Sequence, residues 1–180
     1  SFIGELLEQG IITRDEVKVR RYRLLFEELN ADCSPQEAAR FYESRLSVGH
    51  YFVEGAEELL DALAGKYRLY LVSNGTTAVQ TSRIASAGIA DRFCEIFLSQ
   101  ELGVCKPAAA FFDLCFSRIP DFRREETVIV GDSLTSDIQG GKNAGIRTIW
   151  FNPRGVSCSG PVPDYEIAAL LELVPLLERL

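Results

Sequence analysis

At 180 residues, 47% hydrophobic and 25% charged, the chain can bury one good core, or one core plus a small appended lobe. A net charge of -7 excludes a nucleic-acid backbone or an anionic membrane surface as the main partner, since both reward clustered Lys and Arg, but leaves local phosphate binding open. No apolar run reaches the length of a membrane span, and SFIGELLEQG has neither a basic n-region nor a signal-like apolar core; a cytoplasmic location is the default expectation, with no obligate protein partner evident.

The N-terminal part is expected to be helical. Thr13 and Glu16 form a capping-box pattern, after which Val17, Leu24, Leu25 and Leu29 recur near the 3.6-residue period until Asn30. Ser34 and Glu37 repeat the device ahead of AARFYESRL, which runs to Gly49. The arginines Arg20, Arg21 and Arg23 suit a solvated helix face, with one of them facing an anionic ligand as the alternative. His50 lies between helical patterns and reads as a turn or domain-edge residue. The cysteines Cys33, Cys94, Cys105, Cys115 and Cys158 are scattered and form no CxxC pair, so they are expected to be reduced and structural.

From Gly55 onward helix and strand alternate. A helix over Gly55 to Ala64 precedes an apolar strand over Tyr67 to Val72, then Thr76 to Ala87 reads as a helix closed by Gly88. A short strand follows at Glu95 to Leu98. Pro107 is expected to open the helix AAAFFDLCFSRI as its N1 residue, followed by a strand at Thr127 to Val130, a helix from Ser136 to Ala144 and a strand at Arg147 to Phe151. The tail adds an edge segment after Pro161 and a closing helix, ELVPLLERL. This βαβαβαβ order implies an α/β fold: a mostly parallel, Rossmann-like sheet with helices on both faces and its strand ends along one edge.

Candidate chemistry gathers on that edge. The stretch VIVGDSLTSD breaks after its apolar run at Gly131 and places Asp132 and Asp137 on the loop and helix start that follow. Hard cations such as Mg²⁺ take one or two carboxylates there together with water and phosphate, although Asp137 could equally cap the next helix. The Ser73 hydroxyl, with the backbone N–H groups of Asn74 and Gly75, would make an anion cradle, the alternative being a plain turn. Lys106 stands beside an expected helix N-terminus, where a cation is favoured only if an anion joins it; otherwise it is an exposed loop lysine.

The ordered set of VSNG at Ser73, KP at Lys106 and GDSLTSD with Asp132 and Asp137 resembles motifs two, three and four of the haloacid dehalogenase superfamily. The resemblance covers residues 53 to 152, and the helical lobe before it looks like the family's C1-type cap. It implies a division into a cap, residues 1-52, and a Rossmann-like core, residues 53-180. It further implies a Mg²⁺-dependent phosphatase in which a strand-end aspartate attacks phosphorus to form an aspartyl phosphate that water then cleaves. Carried over, Ser73, Asn74, Gly75 and Lys106 bind phosphate, Ser73 and Lys106 act in catalysis, Asp132 holds Mg²⁺, and Asp137 orients that shell. FVEGAEELLDAL, VSNGTTAVQTSRIASAGIADRF and GGKNAGIRTIWFN look most like the pyrimidine 5′-nucleotidase branch. The implied substrate is a small phosphorylated metabolite, a nucleoside monophosphate being the first choice; a dehalogenase, a phosphomutase or a catalytically silent binding module are the alternatives.

One motif is missing. The family's first motif, a D-x-D pair ahead of the cap, occurs nowhere in the chain. The expectation is therefore that these residues start inside the cap, lack the nucleophile and the central strand that carries it, and turn over no substrate on their own. Arg21 lies four residues from both Val17 and Leu25, at the edge of the apolar stripe, and with Tyr22 is expected to reach the cleft holding Ser73, Lys106 and Asp132. Arg20 and Arg23 should stay in solvent.

Overall fold

Local capping sets where the first helices begin and end. The structure is a computed structural model that describes residues 14–180, so Thr13 and its capping box lie outside the described residues. Helix α1 spans Arg14–Glu28 and α2 spans Pro35–Leu46, where Ser34 accepts the Glu37 N–H at 3.3 Å as its spacing predicts. The apolar stripe of α1 does not define a core: Leu24, Leu25 and Leu29 are 44%, 43% and 64% exposed, and Ala39 on α2 is buried. Two packed helices cover only one face of each, so the rest of the stripe stays open among the described residues. Arg20 and Arg23 are exposed, as expected.

The segment from His50 to Gly55 leads into α3, Ala56–Leu63, and the alternation then follows as the sequence implies. Strand β1 is Tyr70–Ser73, α4 Thr77–Ala87, β2 Glu95–Leu98, α5 Ser99–Leu102, α6 Ala109–Phe116, β3 Val128–Gly131, α7 Gln139–Ala144, β4 Arg147–Phe151, β5 Tyr165–Ile167 and α8 Leu173–Leu177. Several boundaries move. Strand β1 begins at Tyr70 rather than Tyr67 because Lys66 and Tyr67 donate their N–H groups back to the Leu63 carbonyl and extend the helix end. Pro107 is not N1 of α6: the helix starts at Ala109, and the Pro107 carbonyl accepts from Asn143 Nδ2. The helix expected from Ser136 begins instead as a π-turn over Leu134–Ile138 and becomes α-helical only at Gln139.

All strand pairs are parallel, but they form two sheets, β1-β2 and β3-β4-β5. Alternation along β3 sends Ile129 to one face, against Phe97, Phe111, Phe112 and Cys115, and Val128 and Val130 to the other, against Leu59, Leu63, Ile149 and Leu173. Helices therefore cover both faces. Burial pushes the Cys115 thiol up to about 12, which keeps it an inert core residue as its isolated position in the sequence suggests. Between β1 and β3 lies a cavity of ≈ 600 Å³ lined by Leu69, Tyr70, Val72, Phe97, Ile129 and Val130 among others. No strand of the described residues bridges the two sheets.

The β4-β5 side is fixed by one carboxylate. Asp164 Oδ2 accepts from Thr148 N at 2.8 Å and from Thr148 Oγ1 at 2.7 Å, while Asp164 N donates back to Thr148 Oγ1 at 3.0 Å. The Thr148 hydroxyl, chiefly, holds the Asp164 carboxyl below the usual carboxylate range; burial opposes the shift, and the Thr148 N–H and Lys142 add to it. A carboxyl depressed in the folded state stabilises above its unfolded pKa and loses that contribution as pH falls through its folded value. Asp164→Asn should therefore flatten the loss of stability below about pH 4, read by urea denaturation at stepped pH; an acid limb as steep as in the parent chain contradicts this role.

Candidate functional site

The strand ends converge on one buried ammonium. Lys106, 6% exposed, donates from Nζ to Asp137 Oδ1 at 2.6 Å and to the Val72 carbonyl at 3.1 Å. The exposed-loop alternative for Lys106 is thereby excluded; the helix that follows it starts at Ala109, with Ala108 as its N-cap. Of its three N–H donors, one is left for a ligand at the strand ends. The partner Asp137 is itself buried, and its Oδ2 accepts from Ser133 N at 3.2 Å.

Why the sequence builds this is visible at Gly131 and in the π-turn. A Cβ at Gly131 would collide with the Asp137 carboxylate, so glycine is what lets that side chain fold back over the strand end. The π-turn places the Ile138 and Asp137 N–H groups on the Ser133 carbonyl, at 3.1 and 2.9 Å, and Ser133 Oγ accepts from Ser136 N at 3.1 Å. Single π-turns of this kind concentrate at functional sites because they re-aim a side chain without ending the helix. Asp132 has a different setting. Its carbonyl accepts from Trp150 Nε1 at 3.0 Å, and its side chain is exposed. The two carboxylates are thus separated in role: Asp137 is neutralised internally by Lys106, and Asp132 faces solvent.

The SNG turn follows β1 directly. Ser73 Oγ accepts the Gly75 N–H at 3.0 Å, which leaves the hydroxyl proton for another acceptor but engages Gly75 within the turn. Asn74 is expected from the sequence to offer its backbone N–H to an anion, and its side chain has a separate engagement. Its Oδ1 accepts from Lys106 N and its Nδ2 donates to Lys106 O, both at 2.9 Å, so the carboxamide faces the lysine main chain. Asn74, Lys106 and Asp137 are therefore linked in one network, with Ser73 next to Asn74 in the turn and Asp132 in the loop before Asp137.

On α1, Arg21 is exposed and its guanidinium lies over the Tyr22 and Tyr42 rings, 4.8 and 4.6 Å from their centroids. Glu43 pairs with Lys18 at 2.6 Å. The N-terminal helices meet α4 where Ser82 Oγ donates to the Ser47 carbonyl at 2.8 Å and His50 Nδ1 lies 3.2 Å from Ser86 Oγ.

The sequence profile of the haloacid dehalogenase-like hydrolases matches residues 16–151. The chain belongs to this family. It is 38% identical over 172 residues to HAD-hydrolase YfnB of Bacillus subtilis, covering 94% of this chain and 73% of that protein. A crystal structure of YfnB bound to magnesium superposes with a TM-score of 0.91 at 37% identity, covering 98% of this chain and 77% of that one. Pyrimidine 5'-nucleotidase PynA of Streptococcus pneumoniae is 37% identical over 175 residues, 96% of this chain and 74% of PynA. Pyrimidine 5'-nucleotidase YjjG of Escherichia coli is 30% identical over 176 residues, 94% of this chain and 75% of YjjG.

For a haloacid dehalogenase-like hydrolase, the residues that sequence reasoning missed are the supports: Ser133, Trp150 and Asn143. Only Asn143 carried a signal, since GGKN puts two glycines inside a helix, where they cost stability unless something packs closely. A Cβ at Gly140 would come within 2.6 Å of Phe112, and one at Gly141 within 2.5 Å of Ile129.

Burial changes what is expected of Lys106. An ion pair taken out of water is costly to break from one side, because the remaining charge is left unpaired. Lys106→Ala should cost about 3 kcal/mol of stability, and Lys106→Met combined with Asp137→Asn should recover most of that loss. Denaturant unfolding of the three proteins checks this; a double variant no more stable than Lys106→Ala refutes it.

Proposed function

We propose that the protein hydrolyses a small phosphomonoester, a nucleoside monophosphate being the best-supported class, through an aspartyl-phosphate intermediate and with Mg²⁺. The observation that carries this reading is the Lys106 ammonium, buried at the strand ends between Val72 O and Asp137 and next to Ser73. A fixed cation at that place can neutralise a transferring phosphoryl group without reorganising when the charge develops. The pyrimidine 5'-nucleotidase names of PynA and YjjG support the choice of substrate class.

Ser73 donates its free hydroxyl proton to a phosphate oxygen, and Lys106 uses its remaining N–H on the same group. Asp132 fits Mg²⁺: it is a hard oxygen donor, exposed at a strand end, whereas Asp137 is already committed to Lys106. Among the described residues no cluster of three or more His, Cys, Asp or Glu could hold a metal, so water, phosphate and an outside carboxylate would complete the shell. When bound, Mg²⁺ supplies Lewis-acid neutralisation of the phosphate oxygens.

The attacking carboxylate is not provided by any D-x-D pair of this chain. The reading places it on an extended segment outside the 180 residues, lying parallel between β1 and β3, and the apolar cavity between those strands has the lining such a segment needs. The carboxylate oxygen bonds phosphorus as the ester P–O bond breaks and the leaving oxygen takes a proton from water to depart as the alcohol; a second water then hydrolyses the acyl phosphate, which releases inorganic phosphate and restores the carboxylate. On this basis the 180 residues alone are inactive.

The test uses the longer protein that includes such a segment, assayed with pyrimidine nucleoside monophosphates. Asp132→Asn should lower Mg²⁺-dependent phosphate release by about a thousandfold or more while the circular dichroism spectrum is unchanged. Full activity in that variant, or halide release from a 2-haloacid in place of phosphate release, overturns the reading. Arg21, with Tyr22, is proposed to touch the leaving group of the substrate when the cap closes, a remote contact that sets specificity. Arg21→Ala should then raise KM for the nucleotide by about tenfold and leave p-nitrophenyl phosphate turnover near its parent value; equal values for both substrates remove Arg21 from the site.

A further inference from the structure

Three consecutive backbone groups at the lysine loop are held by two side-chain amides from different elements. Asn74, in the turn after β1, takes the Lys106 N–H and gives to the Lys106 carbonyl, both at 2.9 Å. Asn143, on α7, gives to the Pro107 carbonyl at 2.9 Å, and its own Oδ1 accepts from Gln139 Nε2 at 2.7 Å. Gly140 makes this approach possible, since a Cβ there would stand 3.4 Å from Pro107 Cα and 2.6 Å from the Phe112 ring.

A lysine ammonium sits at the end of four rotatable bonds, so its aim depends on where its main chain is fixed. Here the base of the side chain is gripped by Asn74 and its tip rests on Val72 O and Asp137. Asn74 pairs with Lys106 as a neighbouring strand would, one donor and one acceptor in register, and its carboxamide is turned to the loop instead of the phosphate side. We infer that Asn74 and Asn143 are positioning residues that clamp the Lys106–Pro107 main chain and so aim the Lys106 ammonium, with Asn74 acting through Lys106 rather than on the substrate.

The structural half of this inference is tested on the 180-residue chain without any assay of activity. Acetylation by an N-hydroxysuccinimide ester, followed peptide by peptide with mass spectrometry, should be slow at Lys106 and faster at exposed Lys66 and Lys142. Asn74→Ala should raise the Lys106 rate on the order of tenfold, by opening the loop locally, without changing Lys66. Asn143→Ala, an exposed site and the safer variant for folding, should raise it in the same direction. Unchanged Lys106 rates in both variants overturn the clamp.

The functional half rests on the phosphatase reading. In the longer protein, Asn74→Ala should lower kcat for p-nitrophenyl phosphate by about ten- to a hundredfold, in step with faster Lys106 acetylation. Lost activity with Lys106 still slow to acetylate overturns the inference and puts Asn74 in direct contact with phosphate. If the longer protein hydrolyses no phosphomonoester, the functional reading falls, and the acetylation rates still decide the clamp.

Discussion

The contact between the Lys106 ammonium and the Asp137 carboxylate, 2.6 Å long and shut away from water, is the constraint on which the strand-end edge depends. Removing both charges from water costs several kcal/mol per ion, and their attraction offsets this only where further hydrogen bonds meet the remaining donors and acceptors. Val72 O and Ser133 N supply those bonds. Because Val72 belongs to β1 and Asp137 to the turn after β3, the ion pair also spans the two sheets at the very edge where the proposed chemistry occurs. The requirement reaches back into the sequence as the glycine at 131, the π-turn after Ser133, and the amides that hold the lysine loop.

Much of this fold was legible because it follows from periodicity. The alternation from Gly55 onward, the strands Glu95–Leu98 and Arg147–Phe151, and the glycines closing α4 and α7 all emerge where apolar runs and left-handed helix ends put them. That Ser73, Lys106 and Asp137 come together was legible for a related reason: the segments that follow successive parallel strands lie along one edge of the fold. Their hydrogen bonds were not. Asn74 and Lys106 are 32 residues apart, and nothing in the SNG turn says that its amide is directed at the lysine main chain instead of a ligand. The period in α1 correctly gave its helix, Arg14–Glu28, but a 3.6 period fixes only which residues share a face and not whether anything covers that face.

The relatives sharpen the same division. Thirty to thirty-eight per cent identity to YfnB, PynA and YjjG covers 94 to 96% of this chain and establishes the family for nearly all of it. On the first two helices a cation, Arg21, is stacked on two tyrosines, Tyr22 and Tyr42, which together offer both charge and a flat apolar face.

The split sheet has a consequence for how this chain behaves in company. The side of β1 away from β2 and the side of β3 away from β4 have no strand partner among the described residues, and the floor between them is apolar. An open strand edge is a template: its main-chain donors and acceptors pair with whatever extended peptide arrives, whichever molecule it comes from. Two such edges facing one another accept an incoming strand on both sides at once. At high concentration, with nothing else to fill the slot, self-association of this chain follows from the same geometry that would make it a receptive host for a single added strand.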